Sequence, residues 1–209
     1  MSVGTVESRS RAAHLGPQRR RPHVLDAALA IAIDRGVPAV TIGAVAERLD
    51  VTRPVVYSCF ADRVELLHAL LDRENDILLG EAIAALPHDH PEADEAVFVA
   101  GFQALLTAVN RRPDSWRLVM SAEPDPAVAE HFRNGRKVIA DQFARLLRPT
   151  LKHWGTTDAA RKLPVLVEQF MSACEGAVRT LLRDRGHDWS PSTLGELIGS
   201  AVYRAFRTA

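Results

Sequence analysis

The chain has 209 residues, 47% of them apolar and only 6% aromatic, with 26 basic side chains balanced by 26 acidic ones. That length accommodates one large domain, or a small and a medium one, with a real core; no run of about 18 or more uncharged apolar residues is present, which excludes a helical membrane span. Only two cysteines occur, Cys59 and Cys174, far apart and outside any C-x-x-C, which fits reduced thiols better than a disulfide scaffold. With an N-terminus lacking the apolar middle of a signal peptide, this predicts a soluble, cytoplasmic protein with no membrane partner.

The balanced total hides an uneven distribution. Residues 1–21 carry Arg9, Arg11, Arg19, Arg20 and Arg21 against the single acid Glu7, a local net charge of +4, with Gly16 and Pro17 and no apolar period. The segment reads as a disordered basic arm, of the kind that lies along phosphates or enters a minor groove.

From Pro22 the apolar residues Val24, Leu25, Ala28, Leu29, Ala32 and Ile33 fall at helical spacing, and Gly36 with Pro38 is the stop signal. Thr41 is placed to cap a second helix, "IGAVAERL", whose Ile42, Val45, Ala46 and Leu49 share one face. Asp50 and Val51 make a turn. Thr52 is expected to cap a third helix, its oxygen accepting from first-turn amides, while Pro54 falls where its missing N–H has no intrahelical partner anyway. The neighbouring Val55 and Val56 are poor helix formers, so tertiary contact must hold this short segment. A fourth helix runs from Asp62 to Pro87.

"PHDHP", residues 87–91, is the clearest break in the chain. Beyond it the pattern is helical: about 92–111, 114–122, 126–147, 158–185 with Pro164 near its start, and 191–207. No convincing strand or repeat is found. The expected fold is all-α: a helix-turn-helix unit over residues 22–70 after the arm, then a larger helical bundle over 71–209.

A helix, a tight turn and a short second helix with apolar residues at Val45, Ala46, Leu49, Val51, Val56 and Phe60 is the layout of a helix-turn-helix. The major groove is only about 12 Å wide, so the inserted helix can be short. The third helix would expose Thr52, Arg53, Val55, Tyr57 and Ser58. The stretch "TIGAVAERLDVTRPVVYSCFADRVELLHALL" resembles the DNA-binding signature of the tetracycline-repressor (TetR) family of bacterial regulators at Thr41, Val51, Thr52, Tyr57, Phe60, Arg63 and Leu66. Two departures are visible: Asp50 stands where that family most often has glycine, and Ser58 and Cys59 replace larger residues after the tyrosine. The resemblance implies phosphate contacts by Thr41, Thr52, Tyr57 and Arg63, base-edge contact by Arg53, and a thymine methyl against Val55. Between Arg21 and Glu74 acidic residues outnumber basic ones, eight to six, so Arg19, Arg20, Arg21 and the rest of the arm must supply much of the non-specific attraction.

For the larger unit the resemblance implies homodimerisation through the last two long helices and a small-molecule cavity among the middle ones. Apolar stripes at Val167, Phe170, Met171, Cys174, Ala177, Val178 and Leu181, and at Leu194, Leu197, Ile198, Ala201, Val202 and Phe206, suit the former. Phe98, Phe102, Trp116, Met120, Phe143, Gln169, Phe170 and Cys174 are the ligand-binding candidates, although core and cavity lining look alike in a sequence. Glu168 and Glu175, on roughly one helix face, fit either a cationic effector or a surface salt-linked to Arg179.

No GxxxxGK[ST], GxGxxG, GxSxG or HExxH is present, so the chain is expected to be no enzyme and to need no cofactor; the His88 to His90 loop reads as solvated and not as a metal site. The expected function is a DNA-binding transcriptional regulator, a homodimeric repressor released from near-palindromic double-stranded operator DNA by a small apolar or amphipathic effector. The competing readings are a ligand-independent adaptor or nucleoid-type protein, and an enzyme with an incidental helix-turn-helix.

Overall fold

The computed structural model describes residues 16–86, 93–120, 129–184 and 188–209, with the side chains of 129–134 left out. Arg9, Arg11 and the His88 to His90 loop lie outside the described residues. Among those described, the regular structure is helical: α1 (Pro17–Arg35), a 3-10 turn (Val37–Ala39), α2 (Ile42–Leu49), α3 (Arg53–Tyr57), α4 (Arg63–Ala84), α5 (Glu95–Arg111), α6 (Pro113–Met120), α7 (Ala129–His153), α8 (Ala159–Arg183) and α9 (Pro191–Arg207). No helix among them is long and apolar enough to cross a membrane.

Two compact units result. The first comprises the chain up to Glu74 together with Arg117–His131; the second comprises Asn75–Trp116 and Phe132–Ala209. Val24, Ala28 and Ile31 of α1, Val45 of α2, Val56 of α3, Phe60, and Leu66, Leu67 and Leu70 of α4 form the core of the first. The tertiary contact that Val56 needed is thus supplied.

Two helix ends differ from the sequence reading for one reason. α1 starts at Pro17 with Pro22 inside it, and α7 continues to His153 with Pro149 inside it. Both internal prolines are exposed, as is Pro164 inside α8. The missing N–H therefore faces water, and the ring's displacement of the preceding turn meets no packed neighbour.

In the second unit Leu106 of α5, Phe143, Leu147 and Leu151 of α7, Phe170 and Met171 of α8 and Phe206 of α9 share one core. α9 begins with a reciprocal cap: Ser190 Oγ accepts from Thr193 N at 3.0 Å and Ser190 N donates to Thr193 Oγ1 at 3.1 Å. Its glycines then bring two backbones together. A β-carbon on Gly195 would lie 2.7 Å from Gln103 N, and one on Gly199 would lie 2.6 Å from Val99 Cα, so only glycine lets α9 lie this close to α5.

The apolar stripes expected to form a dimer interface turn mostly inward. Phe170, Met171, Ala177, Val178, Leu194, Val202 and Phe206 are all buried within the chain. An amphipathic period shows that a face is covered, not which chain covers it. The large apolar residues that α8 and α9 leave outward are Val165 and Leu197.

Candidate nucleic-acid interface

The helix-turn-helix is set by its caps. Thr41 Oγ1 accepts from Ala44 N at 3.0 Å, closing the first turn of α2. At the other end Asp50 adopts the left-handed conformation, φ 54° and ψ 46°, with its N–H turned to the carbonyls of Ala46 and Glu47. Val51 N then reaches back to Ala46 O at 3.0 Å, the closing bond of a left-handed C-terminal motif. Asp50 therefore performs the turn for which the resembled family uses glycine, since a short polar side chain tolerates that region.

Thr52 stands at the N-cap of α3, yet its side chain makes no capping bond. Pro54 occupies one of the two positions whose amide a capping oxygen can accept, and the other amide, Val55 N, donates to the Thr52 carbonyl at 3.0 Å. The hydroxyl is exposed instead. Arg53 is exposed at the start of α3, and its guanidinium lies over Gly43 of α2, with Nη2 3.2 Å from where a β-carbon there would be. Tyr57 is 51% exposed, which removes the possibility that it is a core tyrosine. Val55 is half-buried between these residues. Thr41, Thr52, Arg53 and Tyr57 thus present a polar, solvent-facing surface formed by α3 and the start of α2.

Two of the expected contact residues donate to backbone carbonyls of the chain, Arg63 from a half-buried position and Ser58 from an exposed one. Arg63 Nε donates to Val40 O at 2.7 Å and its Nη2 to Val37 O at 3.3 Å, so the guanidinium ties the start of α4 to the 3-10 turn. Ser58, at the C-cap of α3, donates its hydroxyl to Val55 O at 2.7 Å. Nothing in their spacing distinguishes an arginine reaching for carbonyls from one reaching for phosphate.

The three arginines at the end of the expected arm are helical and differ in use. Arg19 is exposed in the first turn of α1. Arg20 is only 8% exposed, with Nη1 3.5 Å from Ser58 Oγ. Arg21 lies over the Phe60 ring, 4.2 Å from its centroid, donates to Cys59 O at 2.6 Å and pairs with Glu65 at 3.5 Å. These contacts explain why α1 begins upstream of Pro22: the two arginines fasten its first turns to the end of α3. Buried Cys59 adds a weak Sγ contact of 3.6 Å to Pro17 O.

In the second unit, four of the ligand-binding candidates pack on other aromatics. Phe143 and Phe170 stack with centroids 3.6 Å apart at 7°, Phe102 meets Phe170 edge-on at 5.7 Å, and Phe98 meets Phe206 edge-on at 6.0 Å. Gln169 is exposed on α8 and lines no interior. Cys174 is half-buried beside this core, and desolvation pushes its thiol above the ordinary range. Trp116 is buried, and its Nε1 has no acceptor among the described residues; Met120 is half-buried.

The pair Glu168 and Glu175 is neutralised by α7. Arg136 Nη2 meets Glu168 at 2.6 Å and its Nε meets Glu175 at 2.9 Å, with Arg179 3.8 Å from Glu175. This arrangement makes the pair a salt-linked surface and removes the motive for a cationic effector. The hydrogen bond from Arg136 holds the Glu168 carboxyl below its usual range. A depressed pKa stabilises the fold above the unfolded-state value and ceases to do so as pH falls through the folded one. Glu168→Gln is therefore expected to be less stable than the parent at neutral pH, the gap closing in acid; a gap unchanged from neutral pH to acid, in paired thermal melts, would show that this bond contributes nothing.

A family model for bacterial regulatory proteins of the tetR family matches residues 24–70. Over 74 residues the chain is 44% identical to the HTH-type transcriptional repressor KstR of Mycolicibacterium smegmatis, a match that takes in 35% of this chain and 36% of that repressor, little more than a third of its length. The crystal structure of a TetR-like transcriptional regulator from Rhodococcus sp. RHA1 is similar with a TM-score of 0.68 at 19% identity, covering 88% of this chain and 94% of that one. A tetR-family transcriptional regulator from Streptomyces coelicolor is similar with a TM-score of 0.65 at 18% identity, covering 93% and 84%. Residues 24–70 thus carry the helix-turn-helix of the tetR family of bacterial regulatory proteins, on a fold that most of the chain shares with the two solved regulators.

Proposed function

We propose that the protein is a transcriptional repressor that binds a near-palindromic operator as a homodimer and is released by a small apolar or amphipathic molecule. The observation that carries the DNA reading is the exposed polar surface of Thr41, Thr52, Arg53 and Tyr57, formed by α3 and the start of α2. One such helix reads too few bases alone, so two subunits are needed, with half-sites about one helical turn or a multiple apart. Sequencing and footprinting of the genomic fragments that the protein retains tests this. A single asymmetric half-site argues against it.

Positioning and reading should separate. Arg53→Ala is expected to cost about 1–3 kcal/mol on the operator and little on random duplex, relaxing the base preference. Removing residues 1–15, with Arg9 and Arg11, should weaken all sequences alike and flatten the salt dependence. Arg20 and Arg21 are left out of that deletion because they hold α1 to α3. Equal losses on operator and random DNA for Arg53→Ala, measured by anisotropy, would remove Arg53 from the reading.

Support for an effector now centres on Trp116, whose buried indole N–H is unpartnered among the described residues, since such a donor costs free energy until an acceptor meets it. An amphipathic ligand with a carbonyl or hydroxyl oxygen answers that need. A ligand lowers DNA affinity only by as much as it prefers one conformation, and a coupling of about 1–3 kcal/mol gives a 5- to 150-fold change. Trp116→Phe is expected to bind operator normally and to respond poorly to the effector found by fluorescence screening. Ligands that raise thermal stability without changing operator affinity would favour the ligand-independent reading.

A further inference from the structure

Gly43 has no backbone reason to be glycine. It is the second residue of α2, and its conformation is one that any residue adopts. Glycine is moreover the poorest helix former after proline. What the glycine provides is room. A β-carbon at this position would lie 3.2 Å from Arg53 Nη2, 3.3 Å from Nε and 3.5 Å from Cζ, so the guanidinium occupies the space that a side chain on Gly43 would fill.

No hydrogen bond or ion pair among the described residues holds Arg53 there, and charge does not attract it either. The guanidinium lies against the first turn of α2, where the helix dipole is positive. Its place is therefore decided by shape, and its donors stay open to a partner. An arginine with open donors suits bidentate contact with a guanine edge, which depends on direction as well as charge, so the room left beside it matters.

We infer that Gly43 is a specificity-determining positioning residue: by leaving room beside α3 it aims the Arg53 guanidinium, and so sets the base preference without touching DNA. The inference rests on the reading of α3 as the DNA-reading helix. Larger side chains at position 43 push the guanidinium aside, alanine by tenths of an ångström and leucine altogether.

The test is sequence selection from a random duplex library by the full chain, its Gly43→Ala, Gly43→Leu and Arg53→Ala variants, and the Gly43→Leu/Arg53→Ala double variant. Arg53→Ala identifies the base pair that Arg53 reads. Gly43→Leu is expected to keep or raise Tm and to lose preference at that same base pair, roughly 5- to 150-fold, with Gly43→Ala intermediate. In the Arg53→Ala background Gly43→Leu should change nothing more, because the two act as one unit. Unchanged preference in Gly43→Leu, or a further loss on top of Arg53→Ala, overturns the inference while leaving the DNA reading intact. A parent chain that selects no sequence overturns both.

Discussion

Phe170→Ala is expected to destabilise the second unit by about 3–5 kcal/mol, lowering Tm by about 6–20 °C for a protein of this size. The ring is buried between two others, stacked on Phe143 at 3.6 Å and met edge-on by Phe102 at 5.7 Å. Truncation removes both contacts and opens a space walled by the remaining rings, with no polar group to draw water in. The cost therefore combines lost transfer free energy with a cavity. A dry apolar cavity also binds small aromatics, so benzene should restore part of the Tm. The same variant decides between the two uses that the sequence allowed for this residue. If Phe170→Ala melts like the parent and loses only the effector response, Phe170 lines a pocket and the packing assigned to it is wrong.

What the sequence revealed followed from periodicity and caps. Thr41 marked the start of α2 to the residue because a threonine just before an apolar helical period is a preferred N-cap, and Ala44 N donates to it. Asp50 marked the turn because few residues other than glycine tolerate the left-handed region. Pro22 misled, since a proline reads as a boundary unless its side of the helix is known to face water. Exposure is a tertiary fact, absent from any local pattern.

Direction was the larger loss. Arg53 and Arg63 are the same residue type ten positions apart, yet one lies open over Gly43 and the other holds the Val37 and Val40 carbonyls. Arg20 and Arg21, counted as arm, bind α1 to α3 and Phe60. Each depends on where a backbone carbonyl or ring from a distant segment arrives. Likewise Phe98, Phe102, Phe143 and Phe170 pack on other aromatics, neighbours that no local pattern names. A large apolar residue has the same signature in either role, and only its neighbours tell them apart.

The largest functional effect is expected from two residues that do nothing for the single chain. Val165 of α8 is 59% exposed and Leu197 of α9 is 51% exposed. Leu197 sits between Gly195 and Gly199, whose face is buried against α5, so it points away from the body that α9 packs on. A β-carbon on Gly176 of α8 would meet nothing within 4 Å, and Ala201, one turn beyond Leu197, is exposed as well. Small residues beside an outward leucine and valine are what a second copy of the same two helices needs to approach closely. Exchanging Val165 and Leu197 together for glutamate should therefore give a monomer whose helical content matches the parent, since neither side chain is part of the core. Its heads no longer share one molecule, so the second half-site contact loses its effective concentration and operator affinity falls by about 10²–10⁴-fold, while binding to an isolated half-site changes little. Sedimentation velocity together with anisotropy on full and half operators measures all three quantities. Exposed apolar residues are common on monomeric proteins, which makes the alternative concrete: a parent that sediments as a monomer at micromolar concentration, or a double variant that remains dimeric with full operator affinity, removes these faces from the interface and with them the two-headed reading of the operator.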